Sequence, residues 1–182
     1  MQKMEKTENN VATTLTPLLG MTLAQLQEVV KNLGMPRFTA TQLAEWLYTH
    51  RASDFEEMNN ISKNNRRKLA SLYTVGRYAP MHEQRSIDGT VKYLFATSDG
   101  KAVESVYIPD GDRATLCISS QKGCRMGCRF CMTGRQGYHG NLSAAEIINQ
   151  ILSVPDSEKL TNVVFMGMGE PMDNVDAVLQ VV

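Results

Sequence analysis

Apolar positions recur at helical spacing in the first third of the chain and in alternation through its middle. Leu23, Leu26, Val30 and Leu33 form one stripe, and Thr22 with Gln25 makes a capping-box pattern at its start. Gly34 and Pro36 predict where that helix ends. A second helix is predicted from Thr39, with Gln42 three residues on and Leu43, Trp46 and Leu47 on the buried side. A third is predicted over Ser62–Tyr73.

The pattern then changes period. Short alternating runs at 91–97 (VKYLFAT), 102–108 (AVESVYI) and 114–119 (ATLCIS) predict strands, with Asp88-Gly89 and Asp99-Gly100 as turns. After Ser119 come a glycine-rich cysteine loop, a helix near 143–153, a strand at 161–166 (TNVVFM), a Gly-Met-Gly-Glu-Pro turn and the start of another helix. Strand, loop, helix and strand in that order predict an α/β fold with a parallel pair. The segments expected are a flexible polar tail at 1–16, a small N-terminal helical domain at 17–75, a β-hairpin connector at 76–112, and a β/α unit at 113–182.

Composition changes this picture little: 42% hydrophobic and 21% charged residues are ordinary for a globular chain, and the formal net charge is zero. Charge distribution is more informative. Five basic residues and no acid lie between Arg113 and Ala145 (Arg113, Lys122, Arg125, Arg129, Arg135), whereas six acids face Lys159 alone from Glu146 onward. A basic patch beside a reactive loop draws phosphates. Arg129 and Arg135 are candidates for phosphate contacts, and a solvated loop with scattered arginines fits the same charges equally well. Lys63, Arg66, Arg67 and Lys68 read first as a solvated helix face and second as an RNA-facing patch. The N-terminus has no apolar core like that of a secretion signal, and no apolar run approaches a bilayer span, so a cytoplasmic protein without membrane attachment is expected. In a reducing compartment, closely spaced cysteines read as metal ligands or catalytic thiols.

Cys124, Cys128 and Cys131 have the spacing C-x3-C-x2-C. Such offsets also describe one face of an α-helix. However, Gly123, Gly127, Gly134 and Gly137 each disfavour helix by about 1 kcal/mol relative to alanine, so a loop is predicted. Thiolates this close need a cation. Zinc would take Cys117 as a fourth ligand. A four-iron cluster held by three loop cysteines would leave one iron open to an external ligand. In Gly167–Pro171, the glycines allow close backbone approach and Glu170 can accept hydrogen bonds from an amine.

The C-x3-C-x-Phe-C form, with Phe130 before the last cysteine, resembles the radical S-adenosylmethionine superfamily. KYLF (92–95), VESVYIP (103–109), CISSQKGCRMGCRFCMTGRQG (117–137), NLSAAEI (141–147) and FMGMGEP (165–171) together resemble the RlmN/Cfr family of RNA adenine methyltransferases. The resemblance covers nearly the whole chain after the tail. Pro171 after Glu170 is like the branch that methylates adenine C2. The alternative branch, which methylates C8, commonly has alanine there. A non-catalytic metal-binding RNA module is the other alternative.

The resemblance implies a (β/α) radical barrel begun at 113–182 and incomplete. It also implies a [4Fe-4S] cluster on Cys124, Cys128 and Cys131, and S-adenosylmethionine at Gly169 and Glu170. Glu104 matches the base that takes the C2 proton. Cys117 matches the cysteine that releases the product through a transient disulfide with a methyl-carrying cysteine. The implied substrate is 23S rRNA, with tRNA as a second, and the implied partner is a one-electron donor such as flavodoxin acting on a monomer. The methyl carrier is not among the four cysteines, so an N-terminal fragment, inactive alone, is expected.

Overall fold

The computed structural model describes residues 15–182. The polar tail expected at 1–16 therefore lies outside the described residues except at its end, where Thr16 already belongs to a strand.

The first lobe is helical. Strand β1 (Thr16–Pro17) pairs in parallel with β2 (Tyr73–Thr74), which brings the two ends of the lobe together. Helix α1 (Leu23–Asn32) starts as its sequence predicts: Gln25 N–H donates to Thr22 Oγ1 at 3.3 Å, and Thr22 N–H donates to Gln25 Oε1 at 2.7 Å. Helix α2 (Thr39–Ala44) runs on into a π turn, Glu45–Thr49, and α3 (Lys63–Leu72) is capped by Ser62. Leu26, Val30, Leu43, Leu47, Phe55, Met58 and Leu69 form the core of this lobe.

Three expectations change here. Leu23 is 46% exposed, because it lines a cleft with Tyr48 and Val181 and so lies off the core stripe, whose place is taken by Val29. Trp46 is only half-buried, with its indole N–H donated to Asn60 Oδ1 at 2.6 Å. Arg66 is not part of a solvated basic face. It is 7% exposed, and its Nη1 donates to the Glu56 carbonyl at 2.6 Å, which offsets part of the cost of burying a guanidinium whose Nε has no partner among the described residues.

The second lobe is built on a five-stranded sheet: β3 (His82–Arg85), β4 (Val91–Ala96), β5 (Ala102–Asp110), β6 (Arg113–Cys117) and, last in the chain, β9 (Asn162–Val164). Between β6 and β9 come β7 (Gln121–Gly123), α4 (Met132–Arg135), β8 (Tyr138–Asn141) and α5 (Ala144–Leu152), and α6 (Val175–Val181) follows β9. The strands pair in sequence order and antiparallel up to β6. Then β9 returns parallel to β6, with Cys117 opposite Val164 and α5 in the crossover. This is the expected α/β arrangement, although both parallel strands are shorter than the runs at 114–119 and 161–166.

Alternation decides which face is covered. Val91, Tyr93, Phe95, Val103, Tyr107 and Leu116 point toward Leu142, Ile147 and Val154 around α5, and Val178 and Val181 of α6 pack on the same cluster. Burying side chains of this size contributes roughly 1.5–3 kcal/mol each. The alternate positions Lys92, Leu94, Glu104, Val106, Cys117 and Val164 form the other face, and none of them is buried. A cavity of about 570 Å³ lies elsewhere, between the helical lobe and the start of α5. It is lined by Pro17, Tyr78 and Glu146 and holds none of the expected site residues.

Candidate active site

The chain leaves β6 and β9 at the same end of the sheet, and hydrogen bonds join the two exits. Gly167 N–H donates to the Ile118 carbonyl at 3.0 Å, Ser120 N–H to the Met168 carbonyl at 2.9 Å, and Met168 N–H to Ser119 Oγ at 2.8 Å. Glu170 N–H donates to Gln121 Oε1 at 2.9 Å, and Asn174 Nδ2 donates to both the Ser120 and Leu142 carbonyls at 2.8 Å. Gly169 is required at this seam: at φ +101° an added Cβ would lie 2.7 Å from the Gln121 nitrogen. Glu170 Oε1 accepts the Met172 N–H at 3.0 Å and caps a 3-10 turn over Pro171–Asn174. Pro171 fits there because the first residue of a helical turn needs no N–H donor.

The cysteine loop hangs from a hairpin of β7 and β8. Cys124 N–H donates to the Gly137 carbonyl at 3.0 Å and closes its neck. Cys124 is buried, Cys128 is exposed, and Cys131 is half-buried at the N-cap of α4. The three cysteines do not lie on a helix face. Backbone N–H groups of Gly134 and Thr133 pull the Cys131 thiol below its ordinary range, which favours the ligating thiolate. The three thiols are not drawn to a single point, since no group of three metal-binding side chains forms among the described residues. The donor set still fits a cluster: three thiols on one flexible glycine-rich loop, one of them already biased toward thiolate. All four cysteines are free. The disulfide implied for Cys117 is thus not present, and its implied partner is none of the other three.

Glu104 and Cys117 stand on the uncovered face of the sheet. Cys117 pairs across β5 with Val106, two residues from Glu104, so both side chains project to the same side. Burial pushes the Cys117 thiol up, which keeps it protonated at rest. Lys92 Nζ lies 3.1 Å from Glu104 Oε1, and both side chains are close to half exposed. Ser119 Oγ donates to the Glu104 carbonyl at 2.6 Å and so links β5 to the rim.

The sequence and the fold are similar to those of known proteins. The family model for the ribosomal RNA large subunit methyltransferase N-terminal domain matches residues 16–75, and that of the radical SAM superfamily matches residues 118–182. A probable dual-specificity RNA methyltransferase RlmN of Porphyromonas gingivalis is 59% identical over 180 residues, 99% of this chain and 50% of the relative. One from Bacteroides thetaiotaomicron is 60% identical over 164 residues, 90% of this chain and 48% of the relative. A solved radical SAM methyltransferase from Sphaerobacter thermophilus superposes with a TM-score of 0.84 at 38% identity, covering 91% of this chain and 50% of that one. This chain belongs to the RlmN family. It spans about half the length of the curated relatives it matches.

The cofactors of an RlmN-family radical enzyme are a [4Fe-4S] cluster and S-adenosylmethionine. The RlmN-like stretch CISSQKGC carries further residues of the rim that its sequence alone does not single out. Ser119, Gln121 and Lys122 are all buried polar residues. Gln121 joins Glu170 to Asn141, and Lys122 Nζ binds Asp99 Oδ2 at 2.8 Å. That contact holds the Asp99 carboxyl well below the usual carboxylate range and ties β7 to the β4–β5 turn. The detectable signal was a run of polar residues directly after a strand, where solvent exposure is the ordinary expectation. No helix among the described residues is long and apolar enough to cross a membrane.

Proposed function

We propose that this chain supplies the cluster loop, the base and the product-releasing thiol of an RNA methyltransferase that acts on C2 of an adenine in 23S rRNA and in tRNA. The reading is carried by one observation: Glu104 and Cys117 share the uncovered sheet face, and β7, which leads into the cysteine loop, is hydrogen-bonded to the Gly167–Pro171 segment at its edge.

Adenine C2 is electron-poor and carries no acidic proton, so a polar methyl donor does not react there. When bound, the cluster and S-adenosylmethionine supply the one-electron chemistry that makes a methyl carbon reactive toward it. The chain's own residues do the rest. Cys124, Cys128 and Cys131 hold the cluster, while Gly169 and Glu170 receive the amino group of the methionine moiety. Glu104 accepts the C2 proton, and Lys92, whose Nζ lies 3.1 Å from Glu104 Oε1, orients its side chain. The Cys117 thiolate releases the methylated RNA by attacking the sulfur of a thioether between the RNA and a methyl-carrying cysteine that is not one of these four. The S–S bond forms as the C–S bond breaks, and the departing carbon keeps the electron pair and takes up a proton to become the methyl group. In this reading residues 17–75 are an accessory domain, 76–112 a connector and 113–182 the first part of a barrel. A flavodoxin-like donor serves a monomeric cytoplasmic enzyme.

Mass spectrometry of nucleosides from cells lacking the full-length gene tests this. Loss of 2-methyladenosine from 23S rRNA and tRNA, restored by the gene, is the expected result. Unchanged 2-methyladenosine, or loss of 8-methyladenosine in its place, contradicts it.

A further inference from the structure

The Arg125 side chain joins two parts of the molecule that are 48 residues apart in sequence. Its Nε donates to Asp173 Oδ2 at 2.8 Å, and its guanidinium carbon lies 5.2 Å from the centre of the Tyr138 ring. The remaining contacts of this corner point the same way. Asn141 Nδ2 donates to the Asp173 carbonyl at 3.1 Å, and Tyr138 Oη donates to Asn141 Oδ1 at 2.9 Å. Asn141 Oδ1 also accepts Gln121 Nε2 at 2.8 Å, and Gln121 in turn holds the Glu170 N–H.

The two ends of this tie are informative. Arg125 directly follows the first loop cysteine, and Asp173 lies three residues after Glu170. The loop itself has few other restraints: residues 125–130 are all exposed, and Gly127 has open space around it. A guanidinium held by a ring face on one side and a carboxylate on the other is fixed in direction, which a lysine at the same position would not be.

We propose that Arg125 is a positioning residue that sets the cysteine loop against the Glu170 segment and thereby raises the affinity for S-adenosylmethionine. This rests on the functional reading above, in which one end of the tie flanks the cluster and the other flanks the amine-binding carboxylate. Asp173 and Tyr138 act through Arg125 and need not touch the cofactor.

The test uses the full-length enzyme, reconstituted anaerobically, with Arg125→Ala, Arg125→Lys, Asp173→Ala and the double variant Arg125→Ala/Asp173→Ala. Iron and sulfide per chain, S-adenosylmethionine binding by equilibrium dialysis, and hydrogen exchange of residues 124–137 and 167–174 in the apoprotein are measured. Iron content stays at the wild-type level in every variant. Each alanine variant weakens binding about fivefold, the upper end for a partly exposed ion pair. The double variant is no weaker than the weaker single one, Arg125→Lys falls between, and both segments exchange faster in the alanine variants. Wild-type binding in both alanine variants overturns the proposal, as do losses that multiply in the double variant. A wild-type enzyme that holds its iron but does not bind S-adenosylmethionine overturns the functional reading instead.

Discussion

Glu104 and Cys117 project from one face of the sheet on the neighbouring strands β5 and β6, with Val106 directly across from the thiol. The opposite face is covered by α5 and α6, so among the described residues the two groups share the side of these strands left open. The base and releasing-thiol roles proposed for them, acting in succession on one adenine, require such a common side.

Replacing Glu104 tests the base. Glu104→Gln in the full-length enzyme is expected to lower the methylation rate by roughly 10²–10⁴-fold, the usual range for removal of a proton acceptor. Its partner Lys92 is half exposed, so the pair contributes at most about 1 kcal/mol and the melting temperature should barely move. A rate within threefold of wild type would remove Glu104 from the mechanism.

Cys117→Ala is expected to stop release rather than attachment. Incubated with RNA and cofactors, this variant should accumulate an enzyme–RNA adduct that survives denaturing electrophoresis, and nuclease should shorten it. Free methylated RNA at the wild-type yield, with no adduct, would show that Cys117 is merely a strand residue.

Two glycines separate the seam from the loop. Gly169→Ala forces a Cβ to 2.5 Å from that of Gln121 at a φ of +101° and is expected to destabilise by roughly 1–3 kcal/mol, with loss of S-adenosylmethionine binding. Gly127→Ala meets nothing within 4 Å and should cost about 1 kcal/mol, the left-handed backbone alone. Thermal melts of the two variants give the comparison. Equal shifts would contradict the packing described at Gln121.

Glu146 predicts a pH dependence. Burial would raise its carboxyl, but hydrogen bonds from Ser98 and Ser143 outweigh burial and hold it below its ordinary value of 4.5. Its contribution to stability is therefore complete above pH 4.5 and is lost as pH falls through the lower folded-state value. Glu146→Gln should destabilise the protein at neutral pH by roughly 1–3 kcal/mol, and its stability should depend less on acid than that of the wild type. Urea unfolding at neutral and acidic pH checks both. Parallel pH curves would contradict the assignment.

The parts of this fold legible in the sequence are those set by neighbours along the chain. Thr22 with Gln25 announced α1, and the alternation from Val91 to Ile108 announced β4 and β5, because caps and side-chain period are local properties. Burial of Arg66 was not legible, since it depends on the Glu56 carbonyl arriving from another turn. The hairpin of β7 and β8 was hidden too, because Gln121–Gly123 and Tyr138–Asn141 are polar and glycine-rich and carry no apolar alternation. For the site, residue types and spacing singled out the three loop cysteines, whereas Glu104 and Cys117 came only from the resemblance to the RlmN/Cfr family, since each otherwise reads as an ordinary strand residue. That Glu104 and Cys117 share a face needed the strand register, and the seam through Gln121 and Asn174 needed the parallel return of β9.

The decisive measurement is anaerobic reconstitution of the full-length enzyme, followed by metal analysis and titration with S-adenosylmethionine. About four irons and four sulfides per chain, with an absorption or paramagnetic resonance spectrum that shifts on adding the sulfonium, is the predicted result. One equivalent of tightly held zinc and no shift would contradict it, since a closed tetrahedral ion leaves no coordination site for the cofactor.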